Sequence, residues 1–188
     1  PNQKTGIVPN KKWKKEKIGE SWYAGETLIS AIGQGFVLTN PFQLVVMTSI
    51  IASDGKMIEP TIIKGNRVSF KTNEKYSKEI KIIKKAMFKV VNENKGTAFK
   101  SRLEDIKFAG KTGTSQVRRI SLSERESDDF REKEQEWKNR DHALFVGYMP
   151  YDDPKYSISV IIEHGGSGAS TAAPIAKQIF NYINELEV

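Results

Sequence analysis

Hydrophobic positions recur at two different spacings along the chain, and each spacing predicts its own kind of element. In residues 77–94 the apolar side chains fall three or four positions apart, which predicts an amphipathic helix that stops near Gly96. Residues 156–163 alternate between apolar and polar, which predicts a strand, and residues 143–149 predict another. Helical spacing returns in residues 175–186, so a helix closes the predicted order of elements.

The clearest start of a helix lies at Asn40. Asn40 precedes Pro41 and therefore prefers the non-helical conformation of an N-cap, and Gln43 stands where a capping-box partner belongs. We expect this helix to end at Ser53-Asp54-Gly55 and, because it is apolar on most faces, to be buried. Residues 1–26 are interrupted by glycine and proline, so we predict a loop that its aromatic residues hold to the surface.

Three strands and their flanking helices predict an antiparallel sheet. The strands are expected at about 106–117, 143–149 and 156–163, with a long hairpin connection at 150–154 between the last two. The highly charged segment 118–141 is predicted to be an inserted loop between the first two strands. The order favours an α+β (mixed α/β) fold in one domain, with an antiparallel sheet flanked by helices.

Composition narrows the class of protein. A chain of 188 residues with 38% hydrophobic and 28% charged residues can build a globular core. There is no cysteine and only two histidines, so we expect no metal and no cofactor. The net charge of +7 is typical of proteins with anionic partners, although six lysines fall in residues 1–20, where a solvated segment explains them. The chain begins without methionine, and we expect it to be a piece of a longer protein.

The first predicted strand contains the run Gly110-Lys111-Thr112-Gly113-Thr114. Glycine weakens a strand unless something must approach the backbone closely, and both glycines here adjoin a cation or a hydroxyl. We therefore predict an anionic ligand at this strand. Thr112 and Thr114 project to the same side, so both hydroxyls can meet one anion, while Lys111 supplies positive charge.

Three interpretations of this run remain open. A phosphate loop requires a glycine five residues before Gly110, where Asp105 stands, and a helix at the lysine. A structural edge strand with an incidental lysine requires nothing more. An acyl-transfer site is the third, because Lys-Thr-Gly is one of three signatures of serine β-lactamases and penicillin-binding proteins. There Thr112 and Thr114 would hold a carboxylate, Gly113 would admit the reacting carbonyl, and the Thr114 N–H would serve the oxyanion hole.

Further stretches of the sequence resemble the monofunctional class B penicillin-binding proteins and occur in the same order along the chain. The last two stretches resemble in particular the members of this class that act in cell elongation. The stretches are Gly6-Ile7-Val8-Pro9-Asn10, Ile32-Gly33-Gln34-Gly35, Thr39-Asn40-Pro41-Phe42-Gln43-Leu44, Ile51-Ala52-Ser53-Asp54-Gly55, Arg140-Asp141-His142-Ala143 and Glu163-His164-Gly165-Gly166.

The resemblance implies a penicillin-binding transpeptidase fold, similar to that of the serine β-lactamases, and a bacterial peptidoglycan D,D-transpeptidase activity. It implies stem peptides ending in D-Ala-D-Ala as substrates, β-lactams as acylating mimics and cell-elongation proteins as partners, with no nucleic acid. It further implies the periplasmic side of the inner membrane, with an N-terminal anchor outside this chain. Lys111, Thr112, Gly113 and Thr114 fall on the third motif of the family.

The other two family motifs are not found in a suitable place. Ser-x-x-Lys occurs once, at Ser53 to Lys56, where Ser53 closes a helix instead of opening one, and Ser-x-Asn does not occur. We therefore expect residues 1–188 to be the C-terminal part of a single transpeptidase domain, without its nucleophile and inactive alone. The alternatives are a non-catalytic β-lactam or peptidoglycan sensor of the same fold, and an anionic-polymer binder. His142 is predicted to be a structural hydrogen-bonding residue at the start of a strand, and His164 an ordinary loop histidine.

Overall fold

A computed structural model of the chain describes residues 5–63, 70–72, 74–117 and 136–186. It divides into two compact units, residues 1–43 (unit 1) and residues 44–188 (unit 2). Most of the predicted insertion at 118–141, namely residues 118–135, lies outside the described residues.

Unit 1 contains helices α1 (Lys11–Lys17) and α2 (Ala24–Ala31), so the predicted loop over residues 1–26 is wrong. The Asn10 side chain caps α1 by accepting from the Trp13 amide at 2.9 Å. The last turn of α1 is rich in lysine, which suits the negative end of the helix dipole. Lysine and glutamate are good helix formers. Because α1 consists almost entirely of these residues, it has no periodic hydrophobic positions from which a helix could be predicted.

Lys14 of α1 is buried at the centre of unit 1. Its ammonium lies 2.6 Å from Glu26 Oε1 and 3.3 Å from Glu20 Oε2, and 4.5 Å from the centre of the Tyr23 ring. Burial acts to lower the pKa of Lys14, but the hydrogen bonds with Glu26 and Glu20 outweigh it and raise the pKa above the usual 10.5. The hydrogen bond from Lys14 lowers the pKa of Glu26.

Helix α3 (Pro41–Ala52) begins as predicted. The Gln43 amide donates to Asn40 Oδ1 at 2.8 Å and the Asn40 amide donates to Gln43 Oε1 at 3.2 Å, which is a complete capping box. Burial of α3 on most faces is not observed: only Thr48 and Ala52 are buried. The remaining apolar side chains of α3 are not fully covered by the described residues.

Unit 2 contains the remaining helices and all the strands among the described residues. In chain order these are β1 (Lys56–Ile58), β2 (Phe70–Thr72), α4 (Ser77–Asn92), β3 (Ala109–Ser115), β4 (His142–Met149), β5 (Tyr156–Ile162) and α5 (Ala173–Leu186).

The main sheet has the order β3-β4-β5 with both pairs antiparallel, which confirms the predicted α+β fold with an antiparallel sheet. Strand β3 is shorter than predicted and forms one edge of the described sheet. In the register, Lys111 pairs with Val146 and Gly113 pairs with Leu144. The short strands β1 and β2 pair separately.

The largest hydrophobic core of unit 2 joins α4, the sheet and α5. Its centre holds the rings of Phe108, Phe145 and Phe180, with Phe108 lying 6.4 Å from Phe145 and 5.1 Å from Phe180 between centroids. A smaller cluster contains Ala109 and Tyr148, and burial raises the pKa of the Tyr148 phenol above its usual value. Apolar contacts thus hold β3 in place along its N-terminal half.

We expect the stability of unit 1 to fall at both extremes of pH through the pair Lys14 and Glu26. The folded pKa of Glu26 is lowered, so its contribution is complete above the unfolded pKa and is lost as the pH falls through the folded value. The folded pKa of Lys14 is raised, so its contribution is complete below 10.5 and is lost as the pH rises through the folded value.

Denaturation at a series of pH values, followed by the NMR signal of the Trp13 indole, measures both effects, since Trp13 packs 5.5 Å from Phe36 within unit 1. In the variant Glu26→Gln, the free energy of unfolding should fall less between neutral and acid pH than it does in the wild type. An equal fall in the variant and the wild type would contradict the role of Glu26.

Candidate active site

The four predicted site residues lie on consecutive positions of β3. Lys111 and Thr114 are exposed, whereas Thr112 and Gly113 are half-buried. The Lys111 ammonium bends back over its own strand and donates to the Thr112 carbonyl oxygen at 2.6 Å. Because side chains two positions apart share one side of a strand, the side chains of Thr112 and Thr114 face the same way. The run therefore presents one ammonium and two hydroxyls on an edge strand.

Thr112 has a neighbour that the sequence did not indicate. Its Oγ1 atom lies 2.8 Å from Oγ1 of Thr97, which is exposed in the turn that follows α4. The two residues are separated by the connection between α4 and β3, and no spacing rule relates them. The only local signal is the position of Thr97 directly after Gly96, where the sequence predicts a helix stop.

The two glycines of β3 have different packing environments. The prediction that both are present to let a ligand approach the backbone is therefore wrong for Gly110. A Cβ atom at Gly110 would overlap the Phe145 ring, so core packing already requires glycine there. A Cβ atom at Gly113 would lie 3.3 Å from the Leu144 Cβ, a tight contact but not an overlap. Close approach of a ligand thus remains an argument for Gly113 alone.

A turn of π-helix, Gly168–Ala172, supports β3 from the sheet face. A Cβ atom at Gly168 would overlap the carbonyl oxygens of Gly113 and Leu144, so the turn packs directly on the backbone of β3 and β4. The turn is closed by a hydrogen bond from the Ala173 amide to the Gly168 carbonyl, five residues earlier, which is the spacing of a π-helix. Gly168 is a further residue on which the shape of the site depends.

Two histidines organise the end of the sheet at which β3 stops. His142, which pairs with Ser115, accepts the His164 amide hydrogen on Nδ1 at 2.9 Å, so this Nδ1 carries no proton. His164 Nδ1 lies 3.0 Å from the Arg140 carbonyl oxygen and, since a carbonyl only accepts, it carries a hydrogen. The Trp137 ring lies 4.4 Å from the His164 ring. The predicted structural role of His142 is confirmed.

Ser53 lies outside this edge and has a structural environment. Its hydroxyl oxygen is 2.8 Å from the Ser49 carbonyl oxygen and 3.3 Å from those of Ile50 and Lys56. It follows the last turn of α3, directly before Asp54 with φ +58°. A nucleophile activated by a lysine one helical turn later requires the start of a helix, and Ser53 is at the end of one.

The described residues contain neither a metal-binding cluster nor a membrane-spanning helix. No three side chains of histidine, aspartate or glutamate come together there in a way that can hold a metal ion. No helix among them has both the length and the apolar character needed to cross a bilayer.

Known proteins provide the family context for the Lys-Thr-Gly-Thr edge. The family profile described as "Penicillin binding protein transpeptidase domain" matches residues 1–181. The chain belongs to this family. The resemblance predicted from the motifs is thereby confirmed. The similar proteins and structures include those of the penicillin-binding protein 2 type.

The curated relatives include "Peptidoglycan D,D-transpeptidase MrdA" of Haemophilus influenzae, 32% identical over 93% of this chain and 28% of that protein. The protein of the same name from Acinetobacter baumannii is 33% identical over 97% of this chain and 28% of that protein. The chain thus spans less than a third of the length of these relatives.

Solved structures agree with the fold. Penicillin-binding protein 2 of Helicobacter pylori, determined in complex with MreC, superposes with a TM-score of 0.84 and 34% identity over 99% of this chain and 32% of that chain. The Pseudomonas aeruginosa penicillin-binding protein 2, in complex with WCK 5153, has a TM-score of 0.72 and 29% identity over 94% of this chain and 38% of that chain. The fold is therefore that of the penicillin-binding transpeptidases.

We expect Gly168→Ala to destabilise unit 2 by about 1–3 kcal/mol, because the added methyl group overlaps two backbone carbonyls that cannot both move without disturbing the β3–β4 pairing. Urea denaturation measures the change. Gly25→Ala is the matched control, since a Cβ atom at this position in α2 meets no atom within 4 Å. A Gly168→Ala protein as stable as the control would contradict the packing described here.

Proposed function

We propose that the chain carries the substrate-binding edge of a peptidoglycan D,D-transpeptidase, which cross-links stem peptides ending in D-Ala-D-Ala. One observation carries the proposal: Lys-Thr-Gly-Thr, which supplies an ammonium and two hydroxyls, lies on the edge strand β3 of a chain of the penicillin-binding transpeptidase family. The finer assignments of residues and steps below belong to the same proposal.

An extended peptide can add to the edge of a sheet as a further strand and take its main-chain hydrogen bonds. Placed along β3, a substrate would bring its terminal carboxylate to the side shared by Thr112 and Thr114, and Lys111 would supply the positive charge. Hydrogen bonds to charged groups contribute about 1.5–3 kcal/mol each. The arrangement therefore favours a peptide with a free terminal carboxylate over a neutral one.

In the acyl-transfer step a serine oxygen attacks the carbonyl of the penultimate D-alanine, and a tetrahedral oxyanion forms. We assign the Thr114 N–H as one donor to this oxyanion, and such a donor typically lowers the barrier by about 3 kcal/mol. Gly113, which has no side chain, would let the carbonyl approach the backbone closely. Collapse of the intermediate breaks the peptide bond, releases D-alanine and leaves an acyl-enzyme, which an amine of a neighbouring stem then attacks. Lys111 supports the groups that move the protons.

We further propose that residues 1–188 are the C-terminal part of a single transpeptidase domain and that the serine belongs to a preceding segment. The place of Ser53 at the end of α3 and the chain's share of its relatives, 28% of each protein, support this division. We propose cell-elongation proteins as partners, as the Helicobacter pylori complex with MreC suggests. We also propose the periplasmic side of the inner membrane as the location.

Acylation of the full-length protein by a labelled penicillin tests the activity, and Lys111→Ala tests the site. Loss of a charge-assisted hydrogen bond should lower the acylation rate constant by about ten- to a hundredfold. Lys81→Ala is the matched control, since Lys81 is an exposed lysine of α4, and it should label at the wild-type rate.

Each outcome has a definite meaning. Absence of labelling in the folded wild-type protein would overturn the transpeptidase proposal. Stable labelling by penicillin without any release of D-alanine from stem peptides would indicate a sensor of the same fold. Equal rates for Lys111→Ala and Lys81→Ala would overturn the assignment of Lys111.

A further inference from the structure

The hydroxyl pair of Thr97 and Thr112 connects the proposed substrate-binding strand to a residue outside its motif. Their oxygen atoms lie 2.8 Å apart, within hydrogen-bond distance. Thr97 is exposed and Thr112 is half-buried, so the pair is in contact with solvent.

The turn that carries Thr97 is fixed on both sides of this residue. Before it, the Gly96 amide donates to the Glu93 carbonyl at 2.8 Å, and a Cβ atom at Gly96 would overlap the Val90 carbonyl. After it, the buried Ala98 donates its amide hydrogen to the same Val90 carbonyl at 3.0 Å. The backbone of Thr97 is therefore held against the end of α4, and its hydroxyl has a defined position beside β3.

The hydroxyl pair is not needed as a tether between α4 and the start of β3. The Asn92 side chain already donates to the Phe108 carbonyl at 2.9 Å and to the Phe88 carbonyl at 2.9 Å, which joins the last turn of α4 to the residue before β3. A second link would add little to stability, whereas two hydroxyls in contact at an exposed edge can be used by a ligand.

The direction of the hydrogen bond follows from the number of hydrogens. Each threonine hydroxyl has one hydrogen to donate and can also accept. When Thr112 donates its hydrogen to a carboxylate, it cannot donate to Thr97, so Thr97 must donate to Thr112. The order is then Thr97 to Thr112 to carboxylate, and hydrogen bonds in such a chain polarise and strengthen one another.

We propose that Thr97 is a positioning residue for the substrate: its hydroxyl donates to Thr112 and thereby directs the Thr112 hydrogen toward the terminal carboxylate of the stem peptide or β-lactam. The inference rests on the proposed function. Thr97 acts through Thr112 and does not itself touch the carboxylate, so its effect depends on the negative charge of the ligand.

The experiment compares the full-length wild-type protein with Thr97→Val and Thr97→Ser, using a labelled penicillin and the neutral methyl ester of the same compound. Valine keeps the shape of threonine and removes the hydroxyl, whereas serine keeps the hydroxyl. Thr97→Val should lower the second-order acylation constant for the free acid by about three- to tenfold. The constant for the ester should change less than twofold, and Thr97→Ser should stay within twofold of the wild type for both compounds.

Two further variants complete the design. In a Thr112→Val background, Thr97→Val should have no additional effect on the free acid, because the hydroxyl through which Thr97 acts is gone. Thr61→Val, at an exposed threonine whose hydroxyl accepts the Ile63 amide at 3.1 Å, is the matched control and should acylate at the wild-type rate. Thr97→Ala replaces Thr97→Val should the valine variant fail to fold, as judged by circular dichroism.

Failure of this inference differs from failure of the proposed function. No labelling of the wild-type protein by either compound overturns the proposed function and this inference with it. A labelled wild type with unchanged Thr97→Val overturns the inference alone. Equal losses for the acid and the ester, or a Thr97→Ser protein as slow as Thr97→Val, would mean that Thr97 has a structural role only, and would also overturn it.

Discussion

The ring of Phe145 determines how closely the strands of the sheet and the helix behind them can pack. A Cβ atom at Gly110 would overlap this ring, and one at Gly147 would lie 2.8 Å from its Cε1 atom. The ring contacts Phe108, which in turn packs on Phe180 of α5. Close-packed protein interiors tolerate few changes of side-chain volume. The position of β3 is therefore defined by its packing with residues far away in the sequence.

This packing allows β3 to expose polar groups without losing its shape. The core holds its first half, and the turn that begins at Gly168 packs on its second half at Gly113 and on the neighbouring Leu144 of β4. A site that must place hydrogen-bond donors to within a fraction of an ångström gains from such support, because little reorganisation is left for the moment of reaction. The residues proposed to bind the substrate and the residues that hold them in place are therefore different sets, and both include glycine.

Local signals in the sequence were sufficient to predict the capped start of α3 and the strands β4 and β5 joined by a hairpin. Asn40 and Gln43 are three residues apart, and the chemistry of an N-cap is contained within that distance. Helix α1 was not predicted because its lysines give no periodic hydrophobic positions. The packing reason for Gly110 and the contact of Thr97 with Thr112 could not be predicted either, because each depends on a partner that only the tertiary fold brings near.

The Lys111 ammonium already donates a hydrogen bond to the Thr112 carbonyl, so binding of the proposed anionic ligand would be an exchange of hydrogen-bond partners. An anion that takes this ammonium replaces a hydrogen bond that already exists, so the free energy gained is the difference between two partners. A neutral carbonyl is a weaker acceptor than a carboxylate, and the exchange runs toward the anion. The same carbonyl keeps the lysine close to the strand, which would reduce the conformational entropy that Lys111 loses on binding the proposed anion.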